Sequence, residues 1–311
     1  MKKYMPFITL GFFLIFPMLG VSTYVMHIFI LLLMWTTIGM SWNLLSGYCG
    51  QVSFGHAAFF GIGAYTSGIL YSKLSMSPWL GLPLSVFTVG ILSFIIGLAV
   101  LRLRGPFFAL ATLASGEVFR VTAENMEWLT SGTLGIMLQQ RLWVSKLPYY
   151  YIILSITVAV FLLMKYLLST KLGYYFVAIR EDQDAAESLG INTTLYKTIA
   201  LIVSAVVTGI AGAFYMNYMG YIDPHIVFAL HDISIITIMI VMVGGVATQW
   251  GPFIGAVIMV LLQEVVRSIP GLGAMHQAIF GGLLIFIIIF LPNGIVGDFK
   301  KIKRFFGLRS A

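Results

Sequence analysis

Cysteine occurs once in the 311 residues, at Cys49. The chain can therefore close no internal disulfide and build no cysteine-based metal site. Charge is scarce too: Asp, Glu, Lys and Arg make up 9% of the chain, against about 25% in a soluble domain. No stretch is polar enough to form a soluble domain of its own. Catalytic signatures are also missing. Without G-x-x-x-x-G-K-[ST] there is no loop to cradle the phosphates of ATP. Without H-E-x-x-H or G-x-S-x-G, zinc protease and serine hydrolase chemistry have no support. No cofactor or metal site is expected, and the chain reads as non-catalytic.

What is present is apolar. Hydrophobic residues account for 59% of the chain, and the mean hydropathy is +0.98. A bilayer-spanning helix needs about 20 mostly apolar residues. This predicts an all-α polytopic membrane protein, one transmembrane domain over 1–311 with about ten helices. The expected spans are 6–24, 27–46, 56–72, 80–101, 106–122, 148–168, 196–218, 232–249, 252–268 and 275–292. Those at 56–72, 106–122 and 252–268 are short enough to be partial or re-entrant.

The net charge of +7 has its simplest account in orientation. With Lys2 and Lys3 in the cytoplasm, ten alternating spans put 13 of the 18 basic residues on the cytoplasmic side, as the positive-inside rule requires. Both termini are then cytoplasmic. Eight spans keep that parity, whereas nine send the basic tail outside. The tail, 298–311, contains FKKIKRFFGLR and suits anionic lipid headgroups rather than nucleic acid. Met1 to Gly20 lacks a small-x-small cleavage site, so it reads as a retained helix rather than a signal peptide.

Two polar stretches interrupt the apolar background. The first lies in a loop at about 170–196. Glu181, Asp182, Asp184 and Glu187 are 4 of the chain's 11 acids. Asp182 through Leu189 holds no Gly or Pro and consists of good helix formers. Gly190 follows, suited to a helix C-terminal cap, and then the polar turn Asn192-Thr193-Thr194. This predicts a short capped helix, a rigid handle between two spans on which another protein can push. A plain solvated loop is the simpler alternative.

The second stretch, GYCGQVSFGHAAFFGIGAY from Gly47 to Tyr65, is rich in glycine and carries Gln51, Ser53 and His56. Irregular backbone at membrane depth needs protein or water to satisfy its polar groups. The patch is either a cytoplasmic turn or a broken helix lining a path. Ala57 and Gly61 also suit close helix packing. Gly251 and Gly255 make a second packing signal, G-x-x-x-G.

Ionisable residues inside spans are functional candidates. Glu117 and Arg120, and Glu264 and Arg267, are each spaced i, i+3 and can neutralise one another on one helix face. Of these, Glu117 joins Gln51, Ser53 and His56 as a translocation-path candidate. Asp223, His225, His231 and Asp232 suggest proton handling or metal binding, and an outer loop explains them equally well. Ala123 to Leu147 is long enough for a short surface helix where an external partner could land.

Asp184-Ala185-Ala186 followed by Gly190 resembles the EAA loop of bacterial ABC importer permeases. In those proteins this loop is the coupling helix that sits in a cleft of the ATPase. Here Asp184 replaces the usual Glu, and the distal Ile-x-Leu-Pro is absent. A more specific resemblance covers most of Asn43 to Pro292. NLLSGYCGQVSFGHAAFFGIGAY (Asn43 to Tyr65), RLRGPFFALATLASGEVFR (Arg102 to Arg120) and AIREDQDAAESLGINTTLYK (Ala178 to Lys197) resemble, in order and spacing, the LivM-type permeases of branched-chain amino acid ABC importers. The resemblance implies a permease subunit in a bacterial or archaeal cytoplasmic membrane. Its implied partners are a second, LivH-like permease, two ABC ATPase subunits and an extracytoplasmic (periplasmic) substrate-binding protein. The implied ATPase-coupling residues are Asp184, Ala185, Ala186, Glu187 and Gly190. The implied cargo is a branched-chain or related hydrophobic amino acid, with urea or short amides as the alternative. Without partner ATPases, a secondary transporter using Glu117 or the Asp223/His225 group remains the competing reading. A membrane enzyme using Glu117, His56 or His231 has no recognised spacing behind it.

Overall fold

In the computed structural model, residues 11–139, 142–269, 278, 279, 281, 282, 285, 289–291 and 293–298 are described. Ten helices organise them. The first, α1, is Thr23–Trp42, which widens into a π-helical run, Asn43–Tyr48. It is followed by α2 His56–Leu74, α3 Gly81–Val100, α4 Pro106–Asn125 and α5 Leu147–Ser169. Then come α6 Lys171–Glu181, α7 Gln183–Ser188 and α8 Thr193–Met219. A second π-helical run, Leu230–Ile235, leads into α9 Ile236–Gly244, and α10 is Gly251–Ser268.

Among the described residues, six helical stretches are long and apolar enough to cross a membrane. They are Thr23–Tyr48, Pro78–Val100, Leu147–Ser169, Thr193–Met219, Pro224–Gly244 and Gly251–Ser268. Helices α2 and α4 have spanning length but are too polar to join that group. Helices α2, α4 and α10 are continuous over 19, 20 and 18 residues. Most of the predicted 275–292 span, and the basic tail beyond Asp298, lie outside the described residues.

The polarity of α2 is explained by its position. Thirteen of its 19 residues are buried, so it meets protein rather than lipid. Its main partner is α8. The two backbones nearly touch: a Cβ on Gly63 would stand 1.9 Å from the Gly209 carbonyl oxygen, and one on Gly212 would stand 1.9 Å from that of Phe60. Only small residues permit such a crossing. The predicted Gly251/Gly255 packing also occurs, since a Cβ on Gly255 would meet the Ile240 carbonyl oxygen at 1.8 Å.

Hydroxyl groups bind the interior together. Ser41 Oγ pairs with Thr208 Oγ1 at 2.7 Å, Ser204 Oγ donates to the Ser41 carbonyl at 2.8 Å, and Thr37 Oγ1 meets Thr157 Oγ1 at 3.0 Å. These bonds link α1, α5 and α8 where apolar surface alone gives helices no preference for each other over lipid.

The segment between α4 and α5 folds more than expected. It holds a one-turn helix, Glu127–Thr130, and the strand β1, Ile136–Met137, which pairs antiparallel with β2, Tyr221–Ile222. The pairing ties this segment to the end of α8.

Candidate functional site

The charged island is more ordered than the loop expected at 170–196. Its first part is α6, a helix the sequence reading did not anticipate. Gly173, Phe176 and Ile179 recur every third residue and are buried, while Tyr174 and Val177 face outward. Polar residues on the other face had disguised this amphipathic pattern.

The second part, α7, falls where the capped helix was predicted. Asp182 is its N-cap rather than its first turn: Oδ1 accepts from the backbone N–H groups of Asp184 at 2.9 Å and Ala185 at 3.0 Å. That satisfies two donors with no partner inside the helix. At the other end Gly190 has φ +83°. Its N–H donates to the Glu187 carbonyl, and that of Ile191 to the Ala186 carbonyl, a left-handed C-terminal cap. A Cβ at Gly190 would meet nothing within 4 Å, so backbone conformation alone selects glycine there. Asn192 then caps α8 through Leu195 N–H at 3.0 Å.

Within α7, Ala186 is buried, and Asp184, Ala185 and Glu187 face outward. Leu189 is 82% exposed and lies one turn after Ala185, on the same side of the helix. Its exposure was not foreseen.

The helix is fastened at three points. Arg104, in the turn between α3 and α4, donates to Asp184 at 2.7 Å and lies 3.7 Å from Glu187. Both Arg104 and Asp184 are more than half exposed, so water and salt screen the pair and it positions α7 more than it stabilises the fold. Glu187 accepts from the Thr193 hydroxyl and, at 2.9 Å, from the Gln183 amide. Those bonds, the hydroxyl first, hold its carboxyl below the ordinary range. Lys197, buried in the first turns of α8, donates to Gln183 Oε1. Arg104 and Lys197 lie inside the motifs quoted from the sequence, but nothing in their spacing gave these pairings.

The glycine patch meets the same region. Cys49 to Gly55 is irregular and separates α1 from α2. Arg180 Nη1 donates to the Gly47 carbonyl at 3.2 Å, and Gly50 packs directly on the Arg180 backbone. On the opposite side, Phe54 N–H donates to Thr112 Oγ1 of α4 at 3.1 Å.

The four path candidates are not gathered in one place. Ser53 is buried, its Oγ accepting from Gly55 N–H at 3.1 Å and its carbonyl from Trp42 Nε1 at 2.8 Å. His56 is buried against Phe59, with Nε2 at 2.9 Å from Ser204 Oγ. Gln51 is half-buried, and its carbonyl accepts from Ser46 Oγ. Glu117 instead stands 56% exposed on α4. Arg120 pairs with it as the i, i+3 spacing indicated, and also with Glu124. His225 Nε2 lies 3.4 Å from the same Glu124. Asp223 caps a one-turn helix, Pro224–Val227. No group of three His, Cys, Asp or Glu side chains able to hold a metal occurs among the described residues.

Comparison with known proteins follows this pattern. The family model for the branched-chain amino acid transport system permease component matches residues 24–288. The high-affinity branched-chain amino acid transport system permease protein LivM of Salmonella typhimurium is 27% identical, over 83% of this chain and 67% of that protein. The probable LivM permease of Methanocaldococcus jannaschii is 23% identical, over 84% of this chain and 90% of that protein. The LivH permease of Escherichia coli is also 23% identical with the same two coverages. No solved structure matches.

Proposed function

This chain belongs to the branched-chain amino acid transport system permease family, and we propose that it forms, with a second LivH-like permease, the membrane conduit of an ATP-driven importer. The observation that carries this reading is α7: a short, doubly capped helix that projects from the membrane domain and is fastened to it at both α4 and α8. Of the two ABC ATPase subunits, one would dock on α7 through its exposed residues Asp184, Ala185, Glu187 and Leu189, with Ala186 and Gly190 setting its shape, and the other on the second permease. An extracytoplasmic binding protein would deliver branched-chain or related hydrophobic amino acids at the other end. The setting is the bacterial or archaeal cytoplasmic membrane, with both termini in the cytoplasm and eight to ten spans.

The mechanism follows from the fastenings. When the ATPases close, α7 moves as a rigid piece. The Gln183–Lys197 and Glu187–Thr193 bonds pull on α8, the Arg104–Asp184 pair on α4, and Arg180 on the Gly47 to Gly55 segment. A zwitterion crossing hydrocarbon needs replacement for its hydration. Helix α4 supplies a candidate surface: it is too polar to face lipid along its length and exposes Glu117 beside Arg120. We assign this face to the permease–permease junction, with Gln51, Ser53 and His56 behind it as groups uncovered when the segment shifts.

Affinity purification from the native membrane with mass spectrometry of the associated chains tests the reading. Two ATPases and a related permease are expected. A chain that purifies alone and transports in vesicles without ATP overturns the importer in favour of a secondary carrier.

A further inference from the structure

Helix α5 has the length and apolarity to cross a bilayer, and only 33% of its apolar stretch is buried. Leu162, Leu163 and Tyr166 stand exposed in its last turns, so this surface meets lipid. Thr170 alone separates α5 from α6. On α6 the exposed surface continues through Lys171, Tyr174 and Val177, spaced three apart and so on one face. The other side of α6 is anchored in protein. Gly173, Phe176 and Ile179 are buried, and Tyr175 packs on Tyr196 of α8 at a ring separation of 4.6 Å.

Two exposed lysines, Lys165 and Lys171, flank the turn at Thr170. Neither makes an ion pair among the described residues, whereas Arg180 at the far end of α6 is taken by Glu181. Lys171 stands in the first turn of α6, where the helix dipole disfavours a cation. Folding of α6 therefore does not account for its charge, and a negative group outside the chain does. The surrounding residues suit a headgroup layer. Tyrosine favours the membrane–water boundary, and lysine lays its stem on apolar surface while its ammonium reaches outward.

We propose that the corner between α5 and α6 is a binding face for an anionic phospholipid. The lipid phosphate meets Lys165 and Lys171, and the upper acyl chain packs on Tyr166, Tyr174 and Val177. A lipid fits here better than a protein, because the exposed stripe is continuous with the bilayer-facing surface of α5. The lipid also bears on α7. Only Asp182 separates α6 from α7, and Arg180 of α6 holds the Gly47 carbonyl, so a lipid that fixes α6 fixes the root of α7. The proposal does not rest on the transport reading, because lipid binding alone tests it.

The full chain is reconstituted in nanodiscs of phosphatidylcholine alone, or of two parts phosphatidylcholine to one part phosphatidylglycerol. Hydrogen exchange is then followed across α6. Protection should rise several-fold with phosphatidylglycerol, as for a ligand that binds only the folded state, and the gain should shrink at high salt. Lys165→Gln with Lys171→Gln should remove the gain, at about fivefold for each lysine, while exchange in α8 stays that of the parent. Arg102→Gln takes an exposed cation from the turn between α3 and α4 and should leave the gain intact. No gain with phosphatidylglycerol overturns the proposal, as does an undiminished gain in the double lysine variant. An equal loss in Arg102→Gln also overturns it, since diffuse charge then acts in place of a site. So does equal protection by inorganic phosphate in phosphatidylcholine discs, which makes the ligand a dissolved anion. If ATPase subunits added to phosphatidylcholine discs protect α6 and the double variant releases them, the occupant is a protein and the lipid face is refuted.

Discussion

Arg180 donates from Nη1 to the carbonyl oxygen of Gly47 at 3.2 Å, across 133 positions of sequence. Its side chain and backbone also cover Gly50, where a Cβ would stand 2.9 Å from Arg180 Cγ and 3.0 Å from its Cα. The bond joins the charged island to the irregular backbone between α1 and α2. It gives a donor to the carbonyl of Gly47, at the end of the π-helical run, where the last carbonyls of a helix have no partner within it.

Gly50→Val tests this contact. Gly50 has φ +73°, so any L side chain is strained by about 1–2 kcal/mol, and the Arg180 backbone stands in its way. The purified protein should unfold at a lower temperature and be cut by protease between residues 49 and 55. Unchanged melting and protection would show that the segment relaxes freely around Arg180.

At Gly190 the expected effect is on coupling rather than insertion. Valine fits the open space but not the left-handed backbone. In proteoliposomes with its partners, Gly190→Val should keep its membrane level and lose most of the ATPase stimulation that binding protein and substrate produce. Full stimulation in that variant sinks the idea that the cap shapes the handle.

The Arg104–Asp184 pair separates two roles of one carboxylate. Arg104→Asp with Asp184→Arg restores the internal pair and reverses the charge offered to an ATPase. If docking uses the Asp184 charge, the double variant co-purifies with less ATPase than either the parent or Arg104→Gln. If it co-purifies normally, Asp184 serves only to position α7.

Lys197→Met keeps the length and apolar stem of the side chain while removing its bond to Gln183. ATPase docking should persist, because the exposed face of α7 is untouched. Transport per ATP hydrolysed should fall several-fold. Rescue by Lys197→Arg, which keeps a donor, distinguishes transmission from simple packing.

Acid should loosen α7 only late. Glu187 has a carboxyl pKa depressed by Thr193 and Gln183. A depressed carboxylate stabilises the fold above its unfolded pKa and loses that contribution as pH falls through the lower folded value. Hydrogen exchange in α7, corrected for intrinsic rates, should therefore be flat from neutral pH down to about pH 5 and rise only below the ordinary carboxylate range. Glu187→Gln should remove the rise; a rise that persists there assigns it to another group.

The sequence by itself determined the membrane-helix class, six of the spans in their order and the capped helix at Gly190. Each is a local property: apolar runs of fixed length, helix formers bounded by a residue able to take positive φ, and small residues spaced for close packing. It missed α6, because a narrow apolar stripe among tyrosines and charges does not stand out by composition. It did not show why α2 and α4 are polar, which only their neighbours explain. Only the tertiary structure decided that Lys197 meets Gln183, that Arg104 meets Asp184, and that Asn217 reaches the Pro78 carbonyl. These pairings depend on where helices distant in sequence cross. The backbone contacts between Gly63 and Gly209, and between Phe60 and Gly212, fix the α2–α8 crossing in space, and no periodicity along the chain encodes which partner a glycine will touch.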